Sequence, residues 1–249
     1  MLTVGSLFAG IGGFDLGLER AGMRVIWQSE IDPYASAVLR KHWPNVPNHG
    51  DIRTITADRV ERPDVLCGGF PCQDISYAGP GAGLAGERSG LWYEFARVIG
   101  ELGPSVVVVE NVTALLDRGM AEVLGSLAGL GFDAEWSTVS ACAVGAPHMR
   151  QRVFIVAHSD RFNGRSRIRD SITRTFRQIQ ARDGTPRARV GWRARLENPS
   201  ALYRDADGIP DGSHRNRGIG NAIVPQIAEI IGRAIVTAHG AEDAAREME

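Results

Sequence analysis

Residues 105–109 read Ser-Val-Val-Val-Val, four β-branched side chains in a row between Gly103-Pro104 and Glu110-Asn111. A run this short is a strand rather than a helix, and with no polar residue alternating through it both faces must be buried. Strands buried on both faces belong to parallel sheets covered by helices on each side. The rest of the chain agrees with that demand. Apolar runs at residues 2–8, 23–30, 64–67, 132–141 and 152–157 read as further strands. Helical spacings lie between them: Leu16, Leu18 and Ala21; residues 33–43; residues 88–102, with Trp92, Phe95, Val98 and Leu102; and residues 120–130. A last helix runs through Ile227, Ile230, Ile231 and Ile235. Asp32 is the expected N-cap of the second helix, with Pro33 in its first turn. Strands alternating with helices predict an α/β fold with a mostly parallel sheet.

Composition narrows the function classes. No apolar run approaches the roughly 20 residues of a membrane span, and the N-terminus lacks a basic stretch followed by an apolar leader. The three cysteines, Cys67, Cys72 and Cys142, show no CxxC spacing. Neither a disulfide framework nor a cysteine metal site is expected, and a reducing cytoplasm is the predicted setting. The net charge of −1 hides an asymmetry: residues 159–218 hold 14 Arg, no Lys and 7 Asp or Glu, a balance of +7 against −8 for the remainder. An arginine-rich segment beside an acidic body suits phosphate binding. The competing explanation is composition, since Lys41 is the sole lysine.

Several residues stand where chemistry is placed in such folds. The first strand passes into Ala9-Gly10-Ile11-Gly12-Gly13-Phe14, a glycine turn opening a helix as in nucleotide-binding units. Glu30 ends the next strand, where a carboxylate accepts ribose hydroxyls or simply faces solvent. Asp51, in Gly50-Asp51-Ile52, is suited to an adenine amino group, or to the turn itself. After the strand at 64–67 comes Gly68-Gly69-Phe70-Pro71-Cys72-Gln73. Pro71 keeps Phe70 extended, so Cys72 sits on a stiff turn at a strand's end. By itself that is equally an ordinary loop cysteine. Glu110 directly follows the valines, where burial would raise its pKa. Arg150 and Arg152, two apart in extended chain, point the same way. From 159 to 217 periodicity fades, and the segment reads as a small irregular insert. Gly218 to Pro225 then opens the last helix.

Taken together, Phe8-Ala9-Gly10-Ile11-Gly12-Gly13-Phe14, Glu30, Gly50-Asp51-Ile52, Gly69-Phe70-Pro71-Cys72-Gln73, Glu110-Asn111-Val112, Arg150-x-Arg152 and Gly220-Asn221-Ala222-Ile223-Val224-Pro225-Gln226 resemble the cytosine-C5 DNA methyltransferase family, of bacterial or phage type. The resemblance implies a Rossmann-like S-adenosylmethionine-dependent methyltransferase fold with a small irregular insert. It divides the chain into a catalytic domain at 1–158, a basic target-recognition segment at 159–217 and a C-terminal helix returning to the catalytic domain at 218–249.

The implied reaction makes Cys72 the nucleophile that adds to cytosine C6, so that C5 can take the methyl group. Glu110 would hold N3 and the exocyclic amine, and Arg150 and Arg152 would secure O2, the Cys72 loop or a phosphate. For S-adenosylmethionine, Phe8, Gly10, Gly12 and Gly13 would bound the methionine end and Glu30 the ribose. Asp51 and Ile52 would meet adenine, and Pro71, Leu91, Asn221 and Ile223 the remaining wall. Packing alone explains Leu91 and Ile223 nearly as well. Gln73, Ser76 and Arg88 in a closing loop, and Arg165, Arg167 and Arg169 in the basic segment, would contact DNA around a flipped base.

Three departures from the family pattern stand out. His148 replaces the common Gln before the arginine pair, the stretch around 202–210 is barely recognisable, and the recognition segment is short. A target of about two to four base pairs follows from that last feature. The expected partner of this monomer is double-stranded DNA, with a cognate restriction endonuclease as a further candidate and no metal. A tRNA cytosine methyltransferase, a catalytically silent DNA-binding regulator of the same fold and a nicotinamide-dependent dehydrogenase are the competing readings.

Overall fold

A computed structural model describes residues 1–71, 90–146, 148–159, 165–182 and 222–246, of which 165–166 and 241–246 by backbone alone. Six strands form one sheet in the order β2-β1-β3-β4-β6-β5. β1 (Thr3–Leu7), β2 (Arg24–Ser29), β3 (Val65–Gly68) and β4 (Val106–Val112) are parallel. β6 (Gln151–Ser159) runs antiparallel to both β4 and the edge strand β5 (Phe132–Ser140). The helices are α1 (Gly13–Arg20), α2 (Pro33–His42), α3 (Leu91–Leu102), the short α4 (Leu115–Arg118), α5 (Met120–Gly129), α6 (Arg165–Arg182) and α7 (Pro225–Arg246).

The valine run does what its composition demands. Val106 and Val108 enter the core on one face, with Phe14 and Leu18 of α1 and Ile227 and Ile231 of α7. Val107 and Val109 enter the other, with Trp92, Phe95 and Ile99 of α3 and Val123 and Leu127 of α5. The expected cap of α2 is present: Asp32 accepts from the Ala35 N–H at 2.9 Å. β4 is longer than its apolar run, because pairing with β6 carries the ladder through Glu110, Asn111 and Val112. Glu110 is therefore a strand residue, and Arg152 lies opposite Val112 on the neighbouring strand. The start of α3 falls at Leu91 rather than 88, residues 88 and 89 lying outside the described residues.

The reading of 159–217 as an irregular insert needs correction over residues 165–182. Residues 165–182 form an 18-residue helix, α6, whose Ile168, Ile172, Phe176 and Ile179 are buried in the same core as α1 and α7. These four apolar residues mark one narrow stripe at helical spacing. Arginines on the other faces lower the segment's average hydropathy and hide the stripe. Residues 160–164 and 183–217, including the weak stretch around 202–210, lie outside the described residues.

Candidate active site

The parallel strands end on one edge of the sheet, and the loops that follow them enclose a cavity of about 360 Å³. Phe8, Gly10, Glu30, Asp51, Ile52, Pro71, Leu91, Glu110, Arg150 and Arg152 all line it. The structure thus gathers, from seven separate stretches of chain, ten of the residues singled out by pattern and resemblance.

At one end the backbone leaves β1 through Phe8, whose φ of 50° is the one positive φ among described non-glycine residues. Such a conformation persists only where the surroundings enforce it. The Gly10 N–H then donates to Glu30 Oε2 at 2.8 Å, while the Asp32 N–H donates to Oε1 at 2.7 Å. Each carboxylate oxygen of Glu30 is thereby held and still has a lone pair for another donor. Asp51 caps the 3-10 turn Ile52–Thr54 and pairs with Arg53, Nη2 to Oδ2 at 2.6 Å. The hydrogen bonds from Arg53 hold the Asp51 carboxyl below its usual range. Sequence reasoning missed Arg53, and an acid followed two residues later by an arginine was the available signal.

At the other end Glu110 is buried, with Arg152 Nε 3.0 Å from Oε1. Burial pushes its pKa up, and the charges of Arg152 and Arg150 pull part of that back. Two supports here were also missed. A Cβ at Gly69 would lie 2.8 Å from Glu110 Oε2, so any larger residue there would push this carboxylate aside. Asn111 accepts from the Val112 N–H at 2.8 Å and donates to the Phe70 carbonyl at 3.1 Å, fixing the backbone just before Pro71. Arg150 donates to the Ala222 carbonyl at 2.6 Å and so ties the chain entering α7 to the cavity rim. The pKa of His148 is lowered, first by burial and then by Arg150, which favours the neutral imidazole beside the arginine pair.

Some expected residues stand elsewhere. Gly12, Gly13 and Ile223 do not line the cavity. Gly12 is the N-cap of α1 with φ 85°, and a Cβ at Gly13 would come within 2.5 Å of the Ile223 carbonyl oxygen. Gly13 thereby lets the chain before α7 press against α1, whereas a Cβ at Gly12 would run into the Trp43 ring at the end of α2. Arg167 and Arg169 are exposed on α6, and Arg169 Nε lies 3.2 Å from Glu135 Oε1 of β5, outside the cavity. Cys72, Gln73, Ser76, Arg88 and Asn221 lie outside the described residues, as does the side chain of Arg165. Among the described residues no helix is long and apolar enough to cross a membrane, and no group of three or more potential metal ligands occurs.

Comparison with known proteins adds an independent line. A family model described as C-5 cytosine-specific DNA methylase matches residues 2–188. The type II methyltransferase M.Eco47II of Escherichia coli is 39% identical over 163 residues, covering 62% of this chain and 39% of its own. M.HhaI of Haemophilus parahaemolyticus is 33% identical over 161 residues, covering 63% of this chain and 49% of its own. The chain thus spans about half or less of the length of these curated relatives. Among solved structures, a prophage-encoded E. coli chain described as a candidate DNA modification methyltransferase superposes with a TM-score of 0.66. It is 17% identical, and the match covers 96% of this chain and 100% of that one. The S. pombe Dnmt2 methyltransferase reaches 0.54 at 22% identity, over 66% of this chain and 51% of its own. At these identities the structural likeness speaks for the fold.

Proposed function

The chain belongs to the C-5 cytosine-specific DNA methylase family, and from that membership we propose that it transfers a methyl group from S-adenosylmethionine to C5 of a cytosine flipped out of duplex DNA. The observation that carries the reading is one cavity with a pre-held carboxylate, Glu30, at one end and the buried Glu110–Arg152 pair at the other.

The cofactor half suits its ligand. Glu30 has lone pairs left for ribose hydroxyls, and Asp51, kept anionic by Arg53, would accept from the adenine amino group beside Ile52. Phe8 and Gly10 would bound the methionine end, with Pro71 and Leu91 on the wall. When bound, S-adenosylmethionine supplies an electrophilic methyl carbon on a sulfonium.

Cytosine C5 is too electron-poor to take that methyl group unaided. The Cys72 thiolate would add to C6, and the electron pair displaced from the C5–C6 double bond makes C5 nucleophilic. Glu110, its proton retained more strongly because of burial, would place a proton at N3 and accept from the exocyclic amine. Arg152 and Arg150 would hold O2 or the Cys72 loop. Loss of the C5 proton to a base and departure of Cys72 from C6 would complete the turnover. Flipping is needed because C6 is stacked out of reach in a duplex.

We assign catalysis to residues 1–158 with the return of 218–249. Because α6 belongs to the core, reading of the target sequence falls to the rest of 159–217, while Arg165, Arg167 and Arg169 at the start of α6 would meet phosphates only. Gln73, Ser76 and Arg88 would contact DNA from the loop after Cys72, and Asn221 would complete the cofactor wall. Duplex DNA is the proposed partner of a cytoplasmic monomer, and a cognate restriction endonuclease is a counterpart consistent with type II relatives.

The test is incubation of the chain with labelled S-adenosylmethionine and either mixed-sequence duplex DNA or tRNA. Label recovered as 5-methylcytosine in DNA, and lost in Cys72→Ser, is the expected outcome. Label confined to RNA, or none in either substrate under binding conditions, would sink the proposal.

A further inference from the structure

Beneath the glycine turn, Asp15 is fully buried in the first turn of α1. Its Oδ2 accepts from Ser6 Oγ of β1 at 3.0 Å, and its Oδ1 from Gln28 Nε2 of β2 at 2.7 Å. Gln28 is a junction. Its backbone N–H donates to the Pro47 carbonyl at 2.9 Å, and its carbonyl accepts from the His49 N–H at 2.8 Å. Those bonds fix the loop that leads to Asp51. Two residues beyond Gln28 stands Glu30, held by the Gly10 N–H of the turn that opens α1. Asp15 therefore bonds across the one place where the supports of all three cofactor-side segments meet.

A carboxylate is an expensive way to fill this space, since burial costs its charged form. Burial pushes its pKa up to about 6, with the bonds from Gln28 and Ser6 resisting the rise. Gln28 Oε1 is itself buried without a hydrogen-bond partner. It is the acceptor a protonated Asp15 would seek, so rotating one amide would exchange a carboxylate–amino contact for a carboxylic acid–carbonyl contact. The surrounding elements bring few other titratable groups. Cys67 of β3 has its thiol pKa raised by burial, Glu19 is the next acid along α1, and Glu229 of α7 is paired with Arg233 at 2.9 Å.

We propose that Asp15 is a positioning residue for the cofactor half of the cavity. In its ionised, doubly hydrogen-bonded form it holds the glycine turn, Glu30 and the Asp51 loop in binding register, and protonation weakens S-adenosylmethionine binding. The inference rests on the cofactor assignment above.

The experiment is equilibrium dialysis of S-adenosylmethionine against the full chain between about pH 5 and 8, with a melting curve at each pH. Wild type should bind several-fold more weakly below about pH 6 than above it. Asp15→Asn should bind weakly at every pH with that inflection gone, while melting no lower than wild type. Ser6→Ala, a milder change that removes one donor to the carboxylate, should move the inflection to higher pH. An inflection that survives in Asp15→Asn would belong to His49 or Glu110 and would overturn the proposal. So would pH-independent binding by wild type. Should Asp15→Asn fail to fold, an unmoved inflection in Ser6→Ala overturns it alone. No binding at any pH would instead sink the cofactor assignment, and this inference with it.

Discussion

Glu110 shows how much of a site is decided by side chains that never touch the reacting atoms. Its carboxylate fits beneath β3's exit because position 69 has no Cβ. We predict that Gly69→Ala lowers kcat by about two orders of magnitude while S-adenosylmethionine affinity stays near wild type, because the displaced group lies at the end of the cavity proposed for the base. Steady-state kinetics beside equilibrium dialysis would check the split. Asp15 carries a second prediction, about stability. Its folded pKa of about 6 lies above the ordinary 3.8, so the folded state favours the protonated form. The associated stability is fully present below about pH 4, declines as pH rises through about 6, and is absent at neutrality, a difference of about 3 kcal/mol. Asp15→Asn should therefore be more stable than wild type at pH 7 by up to about 3 kcal/mol and gain little at pH 4, as urea denaturation at the two pH values would show. Asp15 could be read in the sequence only as one polar residue in a helix start. Its burial depends on β1 and β2 arriving from either side.

At the scale of elements, the two helices described after residue 159 matter most. α6 was hidden by its own arginines, yet Ile172 is 1% exposed and sits in the central core. Ile172→Ala is expected to cost about 2–5 kcal/mol in denaturant unfolding, a loss that a peripheral insert would not suffer. α7 packs on α1 through small residues, and the approach at Gly13 brings Ala222 to the cavity rim, where Arg150 holds its carbonyl. Gly13→Ala should destabilise by about 1–3 kcal/mol through overpacking and also loosen cofactor binding, measured by unfolding and dialysis on the same preparation. The glycine pair was legible as a helix start. That Gly13 serves contact with a segment 210 residues later was not, because nothing local in a sequence encodes which distant backbone will press against it.

For the whole molecule, charge separation becomes a geometric matter. The segment at 159–218 carries +7 against an acidic remainder, but Arg169 already pairs with Glu135 of β5. A partly neutralised arginine releases fewer counterions on meeting a phosphate. Replacing Arg165, Arg167 and Arg169 together should thus lower the slope of log K against log salt for DNA binding by less than the near three that three fully charged contacts would give.

The residues by themselves determined the alternation of strands and helices, the doubly buried central strand and the family, because hydrophobic period and short-range backbone chemistry are local properties. They also marked Glu30, Asp51, Glu110 and the arginine pair as one set. Tertiary structure alone decided which of these share a cavity, that Gly12 and Gly13 serve packing, and that α6 is core. It also decided that a buried acid, Asp15, ties the first helix to the two strands beside it. The physical reason is common to all four. Burial and electrostatic environment are set by whichever distant segments close over a residue, and pairing across the sheet is a property of the fold rather than of any stretch of chain.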